Sequence, residues 1–373
     1  MPSIEIPEHL KPADGRFGCG PSKIRTQQLT ALTDNRAASS RTTREERSVP
    51  ALTGRIREGL RELFALPAGH EVVLGAGGTS AFWQVAAYGL VRRRSQHLVF
   101  GLFSSMFADI TGAAPWLRAP SVREAPPGTH ACPAPEAGID TYALTHCETS
   151  TGVAMPVERV GGGAEKALTV VDATSAAGAL AVAPDAYDVY YFGPQKCFGA
   201  EGSTWVALLS PAALERMEEI AASDRYIPEF FSLLTAVESS RRDTFPEEPS
   251  TTGLFFFAEQ LDWILRQGGL AWCTARTAES SRRLYEWAEK SSYATPFVRE
   301  PAQRAPVAGT IDLDEAVEAP AVIRTLRANG IVDLEANRKW GPNQIRVGMY
   351  PAVEPDDVEA LTHCIDHVVE RLG

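Results

Sequence analysis

Six short apolar runs, at 71–74, 97–100, 142–144, 168–171, 189–192 and 205–209, constrain this chain more than any other feature. Each is too short for a buried helix and rich in β-branched or aromatic residues. Helical periodicity fills several of the intervals, and polar residues stand at the run ends. That alternation specifies an α/β fold with a largely parallel central sheet and its functional crevice at the carboxyl edge of the strands.

Two of the run ends carry unusual chemistry. The run at 168–171 closes on Asp172. The run at 189–192 breaks at Gly193-Pro194 and presents Gln195 and Lys196 just past the strand. Taken singly, such a lysine reads as a solvated loop residue and such an aspartate as a turn or helix cap. Delivered together to one crevice, they suit pyridoxal phosphate: the lysine holds the cofactor as a Schiff base and the carboxylate keeps the pyridinium nitrogen protonated. A third run end fits the same group. The strand at 71–74 enters Gly75-Ala76-Gly77-Gly78-Thr79-Ser80 and then a helix over 81–91, an arrangement whose backbone N–H groups and positive helix end favour a phosphate. It lacks the Gly-Lys-Ser/Thr of a Walker loop and the acidic partner of a dinucleotide fingerprint, which argues against a Rossmann dehydrogenase. Arg92-Arg93-Arg94 reads as a solvated helix end.

The remaining punctuation sets the organisation. A helix is expected near 25–33, a polar, charge-dense segment at 39–47, and an amphipathic helix carrying Ile56, Leu60, Leu63 and Phe64. Residues 120–138, rich in Pro and Ala, read as a surface connection, and 161–163 as a loop. Ser210-Pro211 opens a helix. Helices at 254–267 and 275–289 flank Gly268-Gly269. After them the pattern becomes strand 307–313, helix 321–328, strands 331–334 and 344–349, and a closing helix 356–372. We expect a large cofactor-binding domain over 16–268 and a small α+β domain built from 1–15 and 269–373.

With 373 residues and a net charge of −11, the chain is not composed for nucleic acid or anionic membranes. No apolar run reaches the roughly 18 residues of a membrane span, and the first residues lack a signal-peptide pattern. Six cysteines at 19, 132, 147, 197, 273 and 364, without C-x-x-C spacing, read as reduced thiols of a cytoplasmic protein. The histidines form no H-x-x-x-H pair, so no metal is expected.

Three blocks, His146-Cys147-Glu148-Thr149-Ser150-Thr151-Gly152, Val171-Asp172-Ala173-Thr174-Ser175 and Phe192-Gly193-Pro194-Gln195-Lys196, together resemble phosphoserine aminotransferases, in particular their actinobacterial form. The likeness runs from Phe17 to Asp357. It implies fold type I of the pyridoxal-phosphate enzymes and a homodimer with active sites at the subunit interface. It also implies amino transfer between L-glutamate and 3-phosphohydroxypyruvate in serine biosynthesis. By the same resemblance, Lys196 is the Schiff-base lysine and proton carrier, and Asp172 the partner of the ring nitrogen. Thr149 donates to the ring's phenolic oxygen, and Phe103 stacks on the ring. Gly78, Thr79, Ser175 and Gln195 belong to the cofactor site. Arg346 forks onto the substrate α-carboxylate, Arg338 grips the substrate's phosphate, and Arg44, with Arg41 second, matches an arginine that does so from the partner subunit.

Three departures concern phosphate recognition. The family's early Ser-His-Arg has no histidine here, a histidine before the other phosphate arginine is Asn337, and its Asn-Thr-Pro is Glu247-Glu248-Pro249. Two carboxylates beside a dianion repel by on the order of 1 kcal/mol per close pair even in water-like screening. The loop moves away, Arg241 or Arg242 intervenes, or the substrate differs. The alternative readings are therefore an enzyme acting on a different, non-phosphorylated keto or amino acid, or a scaffold protein with weakened cofactor binding. Retention of Lys196, Asp172, Thr149 and Arg346 argues against the scaffold.

Overall fold

The computed structural model describes residues 4–34, 45, 47–161, 166–337, 339–341 and 343–372. Its strands are β1 (Glu71–Ala76), β2 (Ser95–Val99), β3 (Ser121–Glu124), β4 (Thr141–Thr145), β5 (Cys147–Glu148), β6 (Val153–Ala154), β7 (Leu168–Asp172), β8 (Val189–Phe192), β9 (Thr204–Leu209), β10 (Ala294–Pro296), β11 (Ala308–Leu313) and β12 (Gln344–Gly348). A seven-stranded sheet runs in the order β1-β9-β8-β7-β4-β2-β3. The pairs β8–β7, β7–β4, β4–β2 and β2–β3 are parallel, and β9 is antiparallel to both β8 and β1. The double reversal leaves β1 pointing the same way as β8. All five strands β1, β2, β4, β7 and β8 therefore end on one edge, the geometry expected from the run ends.

Strand alternation divides the core between the two faces of this sheet. Val72, Leu74, Tyr190, Phe192, Val206 and Leu208 pack on one side with the helices Val49–Leu63 and Thr251–Gln267. Val73, Val189, Tyr191, Ala207 and Leu209 pack on the other with the helices Gly78–Gly89, Pro211–Ala221 and Leu233–Arg241. Coverage on both faces is why these strands read as nearly continuous apolar runs. The helix at Pro211 starts as expected, with Ser210 Oγ accepting from the Ala213 N–H at 3.2 Å.

A second apolar cluster surrounds the antiparallel sheet β10-β11-β12 and takes in the helices Ala319–Ala328 and Pro355–Leu372. Ile6 and Phe17 join it from the N-terminal segment, and the Ile6 N–H donates to Asn329 Oδ1 at 2.9 Å. The helix Gly269–Lys290 bridges the clusters: Cys273 packs in the first, Leu284, Tyr285 and Ala288 in the second.

Two expectations fail for physical reasons. The stretch 120–138 is not only a connection, because Ser121–Glu124 forms the edge strand β3. Its residues are half or fully exposed and include Arg123 and Glu124, so the strand lacks the apolar signature while its charges protect the edge. Residues 331–334 do not form a strand. Val332 bridges Arg16 and Glu335 bridges Ile345 singly, and Asp333 between them has φ +67°, which breaks an extended run.

His97 and His146 are buried, and burial pushes their pKa values down to about 3 and about 4. The unfolded chain binds protons at both from pH 6.5 downward while the fold excludes them, so stability is retained above that pH and lost as pH falls, at up to ~1.4 kcal/mol per pH unit for each histidine. Thermal melting should therefore drop between pH 7 and pH 5, and less steeply in His97→Gln. Parallel melting curves for the two proteins would contradict this account.

Candidate active site

The common edge brings the sequence-selected residues together. β7 ends on Asp172, and the turn after β8 carries Gln195 and Lys196. The helix that starts two residues after β1 carries Thr79, the helix after β2 carries Phe103, and the short β5–β6 hairpin after β4 carries Thr149. Thr79, Phe103, Asp172, Ser175, Gln195 and Lys196 line one crevice of about 330 Å³.

Lys196 is 8% exposed. Its Nζ donates to the Cys19 carbonyl at 2.5 Å and lies 5.9 Å from the ring centroids of both Phe103 and Tyr350. Burial lowers its pKa, and the positive charge of Arg346 adds to that. The amine is thereby biased toward the neutral form that a nucleophile or base requires. The lysine turn is held from the N-terminal side, where the Ser22 N–H donates to the Gln195 carbonyl at 2.8 Å and Ser22 Oγ donates to that of Lys196.

Asp172 is 6% exposed and accepts from Trp83 Nε1 (3.1 Å), the Thr174 N–H (2.9 Å) and Thr174 Oγ1 (2.6 Å). Burial raises its pKa and these donors oppose the rise. Among the described residues no cation lies within ion-pairing distance of it, Lys196 included. A buried carboxylate supported by three neutral donors is suited to one cationic N–H from a ligand. Thr149 Oγ1 and Gln195 Oε1 are buried without a hydrogen-bond partner in the same region. Such atoms cost free energy unless a ligand satisfies them.

The glycine turn contributes differently from expectation. Gly77 and Gly78 have φ +94° and +65°, and both N–H groups donate to the Ser203 carbonyl, at 2.8 and 3.2 Å. Gly78 therefore does not offer its amide to an anion. The first-turn N–H groups of Thr79 and Ser80, which have no acceptor within the helix, face that task. Gly78 instead provides clearance, since a Cβ there would lie 2.2 Å from the Gly202 carbonyl oxygen. Thr79 Oγ1 also contacts Thr174 Oγ1 at 3.0 Å, which joins the turn to Asp172.

Arg346, on β12 opposite Thr310, reaches across from the smaller sheet. Its Nη1 donates to the Thr149 carbonyl at 3.0 Å and its Nε is buried without a partner. Arg41, Arg44 and Arg338 lie outside the described residues. Glu247 is half-buried and Glu248 exposed, and neither lines the crevice. Arg241 pairs with Glu71 at 2.6 Å.

Sequence reading missed Trp83, Thr174 and the Cys19 carbonyl. Trp83 had a signal, because it stands four residues after Thr79 and a helix puts i and i+4 on one face. A buried lysine and carboxylate, unsatisfied donors and acceptors, and an anion-binding helix start fit pyridoxal phosphate. Fold and crevice together are those of a pyridoxal-phosphate-dependent transferase of fold type I.

Comparison with known proteins agrees. The family model "Aminotransferase class-V" matches residues 137–361. A phosphoserine aminotransferase from Nocardioides sp. is 53% identical over 371 residues, 99% of each chain. Another from Rhodococcus opacus is 51% identical over 368 residues, 99% of this chain and 98% of that one. The crystal structure of a phosphoserine aminotransferase from Cytophaga hutchinsonii superposes with a TM-score of 0.84 at 22% identity, covering 96% of this chain and 100% of that one. That of pyridoxamine-pyruvate aminotransferase from Mesorhizobium loti gives 0.80 at 18%, covering 99% and 94%. The two structures bear on the fold; the sequence relatives bear on the family. The chain belongs to the class-V aminotransferases and, within them, to the phosphoserine aminotransferases.

Gly78→Ala should place a side chain in left-handed backbone and against the Gly202 carbonyl, costing about 1–3 kcal/mol. Denaturant unfolding and a pyridoxal phosphate titration should show lower stability and weaker cofactor binding together. A variant unchanged in both would remove the clearance role.

Proposed function

We propose that the protein catalyses transamination between L-glutamate and 3-phosphohydroxypyruvate, giving O-phospho-L-serine. The observation that carries this reading is the pairing of a charge-disfavoured Lys196 with a cation-free Asp172 in one buried crevice, in a chain half identical to phosphoserine aminotransferases. The bound cofactor supplies the electron sink that stabilises negative charge on the substrate Cα.

The protein's own residues do the rest. Lys196 anchors the cofactor and, once released, moves the proton at Cα, for which its lowered pKa suits it. Asp172, anionic and held by Trp83 and Thr174, keeps a proton on the ring nitrogen. Thr149 Oγ1 donates to the ring's phenolic oxygen, and Phe103 covers a ring face. The N–H groups of Thr79 and Ser80 and the Gln195 side chain take the cofactor phosphate, and Ser175 completes the crevice wall. Arg346, fixed through Thr149 and without a carboxylate partner among the described residues, binds the substrate α-carboxylate. Arg44 and Arg338 are the proposed ligands of the substrate phosphate. The working unit is a homodimer, which the exposed Tyr226 and Phe230 support, the latter packed beside the Gly77 turn. A cytoplasmic location accords with six free cysteines, and no described helix is long and apolar enough to cross a membrane. The proposed organisation is two-part, 16–268 against 1–15 with 269–373; the apolar cluster around β10-β11-β12 supports a separate smaller part, while Phe17 and Cys273 pack across that boundary.

The purified protein should show a visible cofactor band that changes on adding either L-glutamate or phosphoserine. A response to glutamate alone would transfer the assignment to an enzyme of a different substrate, and a protein that takes up no pyridoxal phosphate would end it. Lys196→Ala should abolish turnover and alter the band. Arg346→Ala should weaken binding of both amino acids by about 2–5 kcal/mol while the cofactor stays bound. Unchanged affinities would place the carboxylate elsewhere.

A further inference from the structure

Glu148 has no role in the chemistry above, yet it is a fully buried carboxylate with no cation within ion-pairing distance among the described residues. Its two oxygens are divided between two chain segments. Oε2 accepts the Ser104 N–H at 2.8 Å, and Oε1 accepts the Ser150 N–H at 3.1 Å. The neighbouring Ser150 returns a bond in the other direction, its Oγ accepting the Leu102 N–H at 3.0 Å. Leu102 and Ser104 flank Phe103, while Glu148 and Ser150 flank Thr149. The residues on both sides of Phe103, which lines the crevice, are thus bonded to the residues on both sides of Thr149, whose Oγ1 is buried without a partner.

We propose that Glu148 and Ser150 are positioning residues that clasp the Phe103 segment to the Thr149 hairpin, and so fix the face and the edge of the cofactor ring relative to each other. The inference rests on the pyridoxal phosphate reading of the crevice. Three further observations support it. Ser104 Oγ accepts from the N–H groups of both Phe100 and Gly101, at 3.0 Å each, so the carboxylate seizes a segment that is already folded on itself. The Gly152 N–H donates to the Glu148 carbonyl at 2.9 Å, which anchors the other end in the hairpin. Gly101 gives the Glu148 side chain its place: a Cβ there would lie 2.3 Å from Cγ and 2.4 Å from Cδ. Gly101 has φ −178°, extended backbone open to any residue, so clearance for Glu148 is the constraint at this position.

A carboxylate is required because both partners are N–H donors. An amide in its place keeps the shape but has one acceptor oxygen, and its NH₂ would face a donor. Glu148→Gln therefore opens one side of the clasp without creating a cavity. Gly101→Ala displaces the same side chain from a position outside the crevice lining.

The test uses the full chain, with pyridoxal phosphate titrated into cofactor-free protein and followed by absorbance and by circular dichroism in the cofactor band. Melting of the cofactor-free protein is measured beside it. Expected is a dissociation constant about ten-fold higher in Glu148→Gln, as for loss of one buried hydrogen bond. The induced dichroism should fall, and Gly101→Ala should reproduce both effects. Ser150→Ala, which removes the bond from Leu102 and the hydroxyl's support of Glu148 while keeping the Ser150 N–H, should reproduce the loss of dichroism with little change in cofactor-free melting. Wild-type affinity and dichroism in Glu148→Gln would overturn the clasp and leave the cofactor assignment standing. A loss of melting temperature in all three variants with the cofactor signal intact would reduce the network to a structural one and overturn it as well. A wild-type protein that binds no cofactor would overturn both readings.

Discussion

Lys196 and Asp172 sit in one buried crevice, carry opposite formal charges, and do not form an ion pair. Left to find each other in a flexible pocket, a desolvated ammonium and carboxylate would pair, since attraction at low effective dielectric is strong. The sheet prevents it. Asp172 is the last residue of β7 and is tied by Trp83 and Thr174, while Lys196 follows β8 across a Gly-Pro break and is turned toward the Cys19 carbonyl. The register that sets Asp172 beside Tyr191 fixes where the lysine turn begins. What remains between the two is room for a ligand that meets the carboxylate with a cationic edge and the lysine with an electrophile.

This separation explains why so much of the surrounding structure is built from neutral donors. Trp83, Thr174 and Thr79 form a connected set around one face of Asp172 that lowers its charging cost without neutralising it. An arginine in place of Trp83 would satisfy the carboxylate outright and leave nothing for a ring nitrogen. The same logic places Cys19 near the lysine through its backbone carbonyl, an acceptor that carries no net charge.

The parts of this arrangement visible in the sequence were those set by local pattern. Apolar runs with polar ends gave the strands of the central sheet, and the order of their ends gave Asp172, Lys196 and the glycine turn. Residues whose role depends on distant pairing were not legible. Trp83 meets Asp172 across 89 positions, and Glu148 meets Ser104 across 44. The amide of Gly78 was misjudged because the Ser203 carbonyl that occupies it lies far along the chain. The edge strand β3 escaped because an edge has little apolar surface to bury, and 331–334 misled because the positive φ of Asp333 leaves no mark in the hydrophobic pattern.

The charge of the chain as a whole says little about what this crevice binds. A net charge of −11 is, by sign alone, ill suited to a cofactor phosphate, a substrate carboxylate and a substrate phosphate. At physiological ionic strength, however, exposed charges are screened beyond ~8 Å. Among the described residues the groups proposed to meet those anions are the first-turn amides of one helix, the guanidinium of Arg346 and the amine of Lys196. Among the described residues Arg346 has no carboxylate of its own, in contrast to Arg241 on Glu71 and Arg159 on Asp188, where the cation is already satisfied. Surface pairs of this kind contribute little individually. Anion recognition here depends on which cations are left without partners, and the fold leaves that freedom at the carboxyl edge of its sheet.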